Sequence, residues 1–322
     1  MEKYLSNRDM AGKIIVTGAA GLVGQNLVLL LMQKGYSVVA IDKNQNNLSV
    51  LKEVNPAAKT ILADISQPGI WQAEFKGAKA VVQLQAQIAA KTAAPFLRNN
   101  VDSVKNVLDA CKKYKIKNLV HLSSSVVISA ANDNYTKTKR IGERLVKNSK
   151  IPYTILRPPL LYGCFDAKHL GWLTRFVERW PIFPVPGSGK YMRQPLYVMD
   201  LCRIILSCIK RSPTNKIHNI IGLEKIYYVD LIKKIAKAKG LKRLFVPIPV
   251  PLFGLLMNSY ALITRKPPFT AEQMRALVAG DVFPVESWRK EFGVEYTPFE
   301  DAIRETFNSP YYDYRLKLVS PH

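Results

Sequence analysis

KIIVTGAAGLVG, residues 13–24, decides the fold. Residues 13–17 are a short β-rich run, Gly18 ends it, and residues 22–34 have the length and leucine content of a helix. Gly18, Gly21 and Gly24 punctuate the junction, where glycine permits a tight turn and lets the backbone approach a pyrophosphate at a helix N-terminus. Strand, glycine turn, helix is the expected order.

Outward from that turn the pattern repeats. YSVVAID at residues 36–42 predicts a second strand, residues 60–63 a third and residues 80–84 a fourth. A helix is expected over 101–114, a fifth strand over 118–124, a helix over 135–148 and a sixth strand over 153–156. Such alternation implies an α/β fold, a Rossmann-like doubly wound parallel sheet. Asp42 ends the second strand 24 residues after Gly18, where a carboxylate can accept from adenosine ribose hydroxyls and repel a 2′-phosphate. That favours NAD over NADP; the alternative for Asp42 is a strand-end turn residue.

After Arg157 the pattern loosens. Pro158, Pro159, Pro181, Pro184 and Pro186 break the chain into turns before strand character returns at 194–198. Later expectations are a helix over 200–210, a strand over 217–221, a helix over 229–239 and a helical segment over 299–307. The division expected is a cofactor-binding core over 12–162, rejoined by about 193–222. A smaller C-terminal substrate-binding region takes 163–192 and 223–310, with terminal extensions at 1–11 and 311–322.

Ser123-Ser124-Ser125 ends the fifth strand, and Tyr135 and Lys139 open the next helix in a Tyr-x-x-x-Lys arrangement. One helical turn apart, they share a face, so the ammonium is expected to lower the phenol pKa. A tyrosine so tuned exchanges a proton with a carbinol or carbonyl while nicotinamide exchanges the hydride.

TGAAGLVG, the serine ahead of Tyr-x-x-x-Lys, and LRPPLLYG at 156–163 together resemble the extended short-chain dehydrogenase/reductase superfamily, within it the NAD-dependent epimerase/dehydratase family, over about residues 12–307. The resemblance implies that Ser125 binds the reacting oxygen, Tyr135 is the acid/base and Lys139 also holds the nicotinamide ribose. It places Gly18, Ala20, Gly21, Leu22, Val23, Gly24 and Asp42 with the cofactor, Asp64 and Ile65 by the adenine, and Leu84, Gln85, Ala86, Asn100 and Pro158 along its length. Gln87 falls to the substrate. Arg193, in a segment similar to the family's G-x-G…R-D-F-[IV]-x-V, would hold a substrate phosphate, as a bidentate guanidinium suits; pairing with a nearby carboxylate is its alternative. Two departures stand out: nine residues separate Ser125 from Tyr135, fewer than in typical sugar-nucleotide epimerases, and Ser129-Ala130 replaces the usual Tyr-Gly. The family also implies a homodimer.

Composition narrows the rest. Four cysteines and four histidines are scattered without ligand spacing, so no metal site and no disulfide framework is expected. The polar start lacks a signal-peptide core, which predicts a cytoplasmic protein. A formal charge of +23, spread over both halves, would attract anionic lipid or phosphorylated substrates. No interleaved aromatic-basic motif accompanies it, so nucleic acid is not an expected partner. Lys112, Lys113, Lys115 and Lys117 read as a solvated helix end. Pro184 and Tyr191 rule out a P-loop at Gly189-Lys190. LFVPIPVPLFGLLMNSYALI at 244–263 is expected to be a buried pocket helix before a surface-docking or spanning one, because prolines interrupt it.

The leading expectation is therefore an NAD-dependent epimerase/dehydratase-type enzyme acting on a nucleotide-linked sugar. The alternatives are a 3β-hydroxysteroid-dehydrogenase-like enzyme of a lipid alcohol, in peripheral contact with the anionic inner membrane face, and a non-catalytic NAD-binding subunit.

Overall fold

The computed structural model describes residues 11–318 except 130, 169, 264–279, 281 and 286. Its first six strands are β1 Lys13–Thr17, β2 Ser37–Asp42, β3 Lys59–Leu62, β4 Ala80–Gln83, β5 Leu119–Leu122 and β6 Tyr153–Arg157. Short strands follow: β7 Leu161–Tyr162, β8 Ile182–Pro186, β9 Met192–Arg193, β10 Leu196–Tyr197, β11 Ile217–Asn219, β12 Ile226–Tyr227 and β13 Leu244–Ile248. The main sheet has seven strands in the order β11-β6-β5-β4-β1-β2-β3, all parallel. The order reverses between β1 and β4, and this switch point leaves a crevice at the strands' C-terminal ends.

Helices cover both faces: α1 Leu22–Gln33, α2 Gln45–Val54, α3 Ala94–Leu97, α4 Ser103–Lys113, α5 Asn134–Asn148, α6 Leu170–Arg179, α7 Val198–Lys210, α8 Tyr228–Ala238, α9 Val250–Ile263, α10 Trp288–Phe292 and α11 Phe299–Asn308. Strand periodicity sends Ile14 and Val16 to the face covered by α1 and α7, and Ile15 to the face covered by α4. Burial on both faces explains the near-continuous apolar strands of the sequence. Leu27 and Leu31 of α1 are wholly buried, each contributing about 1.5–3 kcal/mol relative to exposure. As expected, Lys112 and Lys113 sit in the last turn of α4.

The segment after Arg157 is more ordered than its prolines suggested. It forms α6 and three two-stranded sheets, β7 with β10, β9 with β12, and β8 with β13. Prolines fit because such ribbons are edges on both sides, where a missing N–H costs little. Residues 244–263 are a second correction: β13 and α9 lie at the surface, with Leu244, Leu252, Leu255 and Leu256 exposed, not in a buried pocket helix. No described helix is long and apolar enough to cross a membrane.

Candidate active site

The glycine turn is fixed by contact rather than by preference alone. Gly18 has φ +68°, and a Cβ there would lie 2.5 Å from the Gln85 amide nitrogen. A Cβ on Gly24 would lie 2.3 Å from the Ala19 carbonyl oxygen, so α1 sits directly on the turn. Gly21 differs: a Cβ there would meet only the Gly18 carbonyl, at 3.5 Å. It is the N-cap of α1, makes no side-chain capping bond, and is followed by no acidic residue in the first turn. The helix therefore presents uncapped N–H groups and its positive dipole end to the crevice, the environment a pyrophosphate requires.

Asp42 braces this turn. Its Oδ2 accepts from the Ala20 amide at 2.9 Å and its Oδ1 from the Asn44 amide at 2.9 Å, leaving lone pairs for ribose hydroxyls. Burial raises its carboxyl pKa, and those backbone bonds oppose the rise. Asp64 is opposed by burial too, but the Ser66 hydrogen bonds and the Lys43 charge hold its pKa below the ordinary value. Lys43, missed in the sequence, spans this end of the crevice by donating to Asn99 Oδ1 at 2.6 Å and pairing with Asp64 at 3.7 Å.

Gln85 stands where a smaller residue is usual, and it fits because its amide is tied down at both ends. Its Oε1 accepts from Thr17 Oγ1 at 2.7 Å, and its Nε2 donates to Ser103 Oγ at 3.2 Å. A single π-helical turn, Arg98–Asp102, precedes α4. Asn99 lines the cavity, while Asn100 is buried behind it. Asn100 Oδ1 accepts from the Gln87 amide at 2.7 Å, and its Nδ2 donates to the Gln87 carbonyl and to Thr138 Oγ1, each at 3.0 Å. Asn100 thus holds the loop after β4 against α5; it is not itself part of the cavity wall.

Asp133 caps α5 by accepting from the Thr136 amide at 2.7 Å, which places Tyr135 in the first turn with its phenol in the cavity. Burial raises the phenol pKa, the Ser124 hydroxyl opposes this by hydrogen bonding, and Asp133 adds to the rise. The serine bonded to Tyr135 is Ser124; Ser125 also lines the cavity, its amide donating to the Pro158 carbonyl at 2.9 Å. One expectation changes: the phenol pKa is raised and not lowered, with burial the largest cause. The Lys139 ammonium donates to the Leu122 carbonyl at 2.7 Å, and burial draws its own pKa down to about 8, against the pull of Glu143. Glu143 is clamped by Arg157 through bonds of 2.7 and 2.6 Å. The shortened loop after Ser125 is closed by Arg140, which donates to the Val127 and Ser129 carbonyls at 3.0 Å.

These residues surround one cavity of about 460 Å³. It brings together every residue expected at the site except Asn100: the glycine turn with Ala20, Leu22 and Val23; Asp42, Asp64 and Ile65; Leu84 to Gln87; Ser125, Tyr135, Lys139, Pro158 and Arg193. Ser123 also lines it, with a buried hydroxyl that has no partner among the described residues, a polar group suited to a ligand. The far wall adds residues the sequence reading missed, among them Leu160, Phe165, Gln194 and Phe283. No cluster of three or more potential metal ligands occurs among the described residues.

The chain is similar to several known proteins. The chain is 24% identical to the ceramide reductase of Caulobacter vibrioides over 283 residues, covering 86% of this chain and 87% of that protein. It is 28% identical to a putative UDP-glucose 4-epimerase of Methanocaldococcus jannaschii over 239 residues, covering 64% and 76%. The UDP-glucuronic acid 4-epimerase of Bacillus cereus, solved in complex with NAD, has the same fold, with a TM-score of 0.70 at 23% identity over 95% of this chain and 97% of that one. Residues 14–221 match the NAD dependent epimerase/dehydratase family, and with the uncapped helix, the braced Asp42 and the Tyr135 cavity already in place, the chain belongs to that family of NAD-dependent enzymes.

Proposed function

We propose that this chain exchanges hydride between NAD and a secondary alcohol or its ketone, with Tyr135 as the acid/base. The carrying observation is that the Tyr135 phenol and its Ser124 partner share one cavity with the uncapped start of α1. NAD, when bound, accepts or returns the hydride. The uncapped turn at Gly21 binds the pyrophosphate, Asp42 takes the adenosine ribose hydroxyls, and Lys139 holds the nicotinamide ribose. Ser124 and Ser125 orient the reacting oxygen. With its pKa raised, Tyr135 is neutral near pH 7 and serves as proton donor to a carbonyl; in the opposite direction it receives the carbinol proton.

The substrate proposed first is a nucleotide-linked sugar. Arg193 supports it: the residue is buried and lines the same cavity as Tyr135, and a guanidinium suits a diphosphate. The test is thermal stability of the NAD-saturated protein across a panel of nucleotide sugars, since ligand linkage raises apparent stability. One sugar nucleotide should give a shift that Arg193→Met abolishes; a shift unaffected by Arg193→Met removes Arg193 from the reading, and no shift with any member removes the substrate class.

A second reading, a lipid alcohol or ketone, is favoured by the exposed apolar surface of β13 and α9 and by the short loop between Ser125 and Tyr135. The ceramide reductase relative agrees with it. NADH consumption with a long-chain ketone in mixed micelles, and none with sugar nucleotides, would select this reading. In either case the chain is proposed to act as a homodimer, to be checked by sedimentation equilibrium.

A further inference from the structure

One surface is not used by the cavity. β8 and β13 form a two-stranded parallel ribbon with Ile182 paired to Leu244. Phe183 faces inward, with ring centroids 5.3 Å from Phe176 and 6.0 Å from Phe245. By strand alternation Ile182 and Leu244 face the other way, and they are 51% and 60% exposed. Trp180, just ahead of β8, is 50% exposed and lies under the Arg179 guanidinium at 5.6 Å.

At the ribbon's far end Pro249 leads into α9, whose start packs beside Gly187 at the end of β8. The sequence of α9 contains no charged residue. Leu252, Leu255 and Leu256 stand at helical spacings of three and four and are all exposed, forming an apolar stripe open to solvent. A soluble surface helix ordinarily carries charges on that stripe.

Charge identifies what covers it. Residues 179–199 contain no Asp or Glu, and residues 231–263 carry six Lys or Arg and again no acid. Arg179 and Lys242 are exposed at the ribbon's start, Lys190 at its end, and none of the three pairs with an acid among the described residues. An apolar stripe and a tryptophan rimmed by cations match the interface of a bilayer with anionic headgroups: leucines enter the acyl boundary, Trp180 sits at headgroup level, and the cations gain Coulomb energy.

We propose that the β8–β13 ribbon and α9 together dock this protein on an anionic membrane surface, without spanning it. The inference is independent of which substrate the cavity takes, because it concerns partition and not turnover.

The test is co-sedimentation of the full chain, loaded with NAD, with vesicles of phosphatidylcholine alone and of phosphatidylcholine mixed with phosphatidylglycerol. Binding is expected to the mixed vesicles only, weakening as salt is added. Leu255→Asp/Leu256→Asp should weaken it about tenfold or more, and Arg179→Glu/Lys242→Glu several-fold, with NAD-stabilised melting unchanged because all four side chains are at the surface. Absence of binding to the mixed vesicles at low salt overturns the proposal. So does binding that the double leucine variant leaves intact, which would make the attraction purely a matter of net charge. A third overturning result is a dimer in solution that the leucine variant dissociates while vesicles are ignored; the face would then belong to a second copy. A failed sugar-nucleotide panel leaves all these readouts unaffected.

Discussion

The two ends of the cavity are built in opposite ways. At the cofactor end, strands of four to six residues alternate with helices, and the decisive contacts are backbone against backbone: Gly18 on Gln85, Gly24 on Ala19. At the proposed substrate end, β7, β9, β10 and β12 are two residues long, only β8 and β13 reach five, and single side chains tie distant segments. Asp200, wholly buried, accepts from the Thr297 amide at 2.9 Å, from its hydroxyl at 2.7 Å and from Arg203 at 2.7 Å. Trp288 Nε1 donates to the Ile221 carbonyl at 2.9 Å. A repeating backbone scaffold admits little variation in what it binds, whereas a side-chain-tethered lobe can change substrate while the sheet stays as it is.

The sharpest division of labour is at Tyr135. Tyr135→Phe keeps the ring in the wall and removes the proton it is proposed to exchange. Turnover should fall roughly a hundred- to ten-thousand-fold, with NAD affinity within about twofold of the parent. Steady-state rates beside a fluorescence titration of NADH measure both, and an active variant would remove the acid/base role. Next in size is Gly18→Ala. A positive φ and a Cβ at 2.5 Å from a backbone nitrogen should together cost about 4 kcal/mol of unfolding free energy and abolish NAD binding. Urea unfolding with and without NAD tests this; a variant that still binds NAD would show that the turn is not held by contact.

The same contrast explains what the sequence disclosed. The six strands, α1, α5 and Asp42 were legible because periodicity and a glycine turn are local signals, and each falls within a residue or two of its expected place. Lys43, Phe165 and Phe283 were not legible, since reaching the cavity depends on long-range packing that no local pattern encodes. Within the π-helical turn Asn99 lines the cavity, and Asn100, the asparagine expected there, is buried against Thr138 and the Gln87 backbone. α6 was missed because flanking prolines suggested turns, and α9 was misplaced because apolar sequence alone does not distinguish a core from a face that needs a partner.

A buried cation provides a further test. Lys139 has a folded pKa of about 8, well below its ordinary 10.5, with burial the main cause. The native state therefore binds fewer protons than the unfolded chain between those values, so stability should rise with pH across that window and be flat in this respect below it. The full span corresponds to roughly 3 kcal/mol. Comparing unfolding of the parent and Lys139→Met from pH 7 to 10 isolates the effect: the parent should gain relative to the variant above pH 8. In parallel, NAD affinity should decline as pH passes about 8 in the parent and not in the variant, because the ammonium proposed to hold the ribose is then lost. A pH-independent difference in both measurements would mean that Lys139 is not a buried, titrating ammonium.

The smallest effect is expected at the substrate end, from Trp288→Phe. The indole is 1% exposed, and replacing it leaves the Ile221 carbonyl without its donor, at about 1–2 kcal/mol of stability. That carbonyl adjoins Gly222, whose own carbonyl accepts from Gln194 Nε2 at 3.3 Å, and Gln194 Oε1 in turn accepts from the Phe283 amide at 2.7 Å. Gln194 and Phe283 both line the cavity, so a shift at Ile221 is transmitted to the substrate wall and not to the glycine turn. KM for the substrate should rise severalfold while the NAD dissociation constant stays within about twofold, because the indole is tied to Ile221 and through it to Gln194, not to the glycine turn. Equal losses at both ends would mean that the lobe and the sheet act as one cooperative unit, and the tethers would then specify the cofactor site as much as the substrate site.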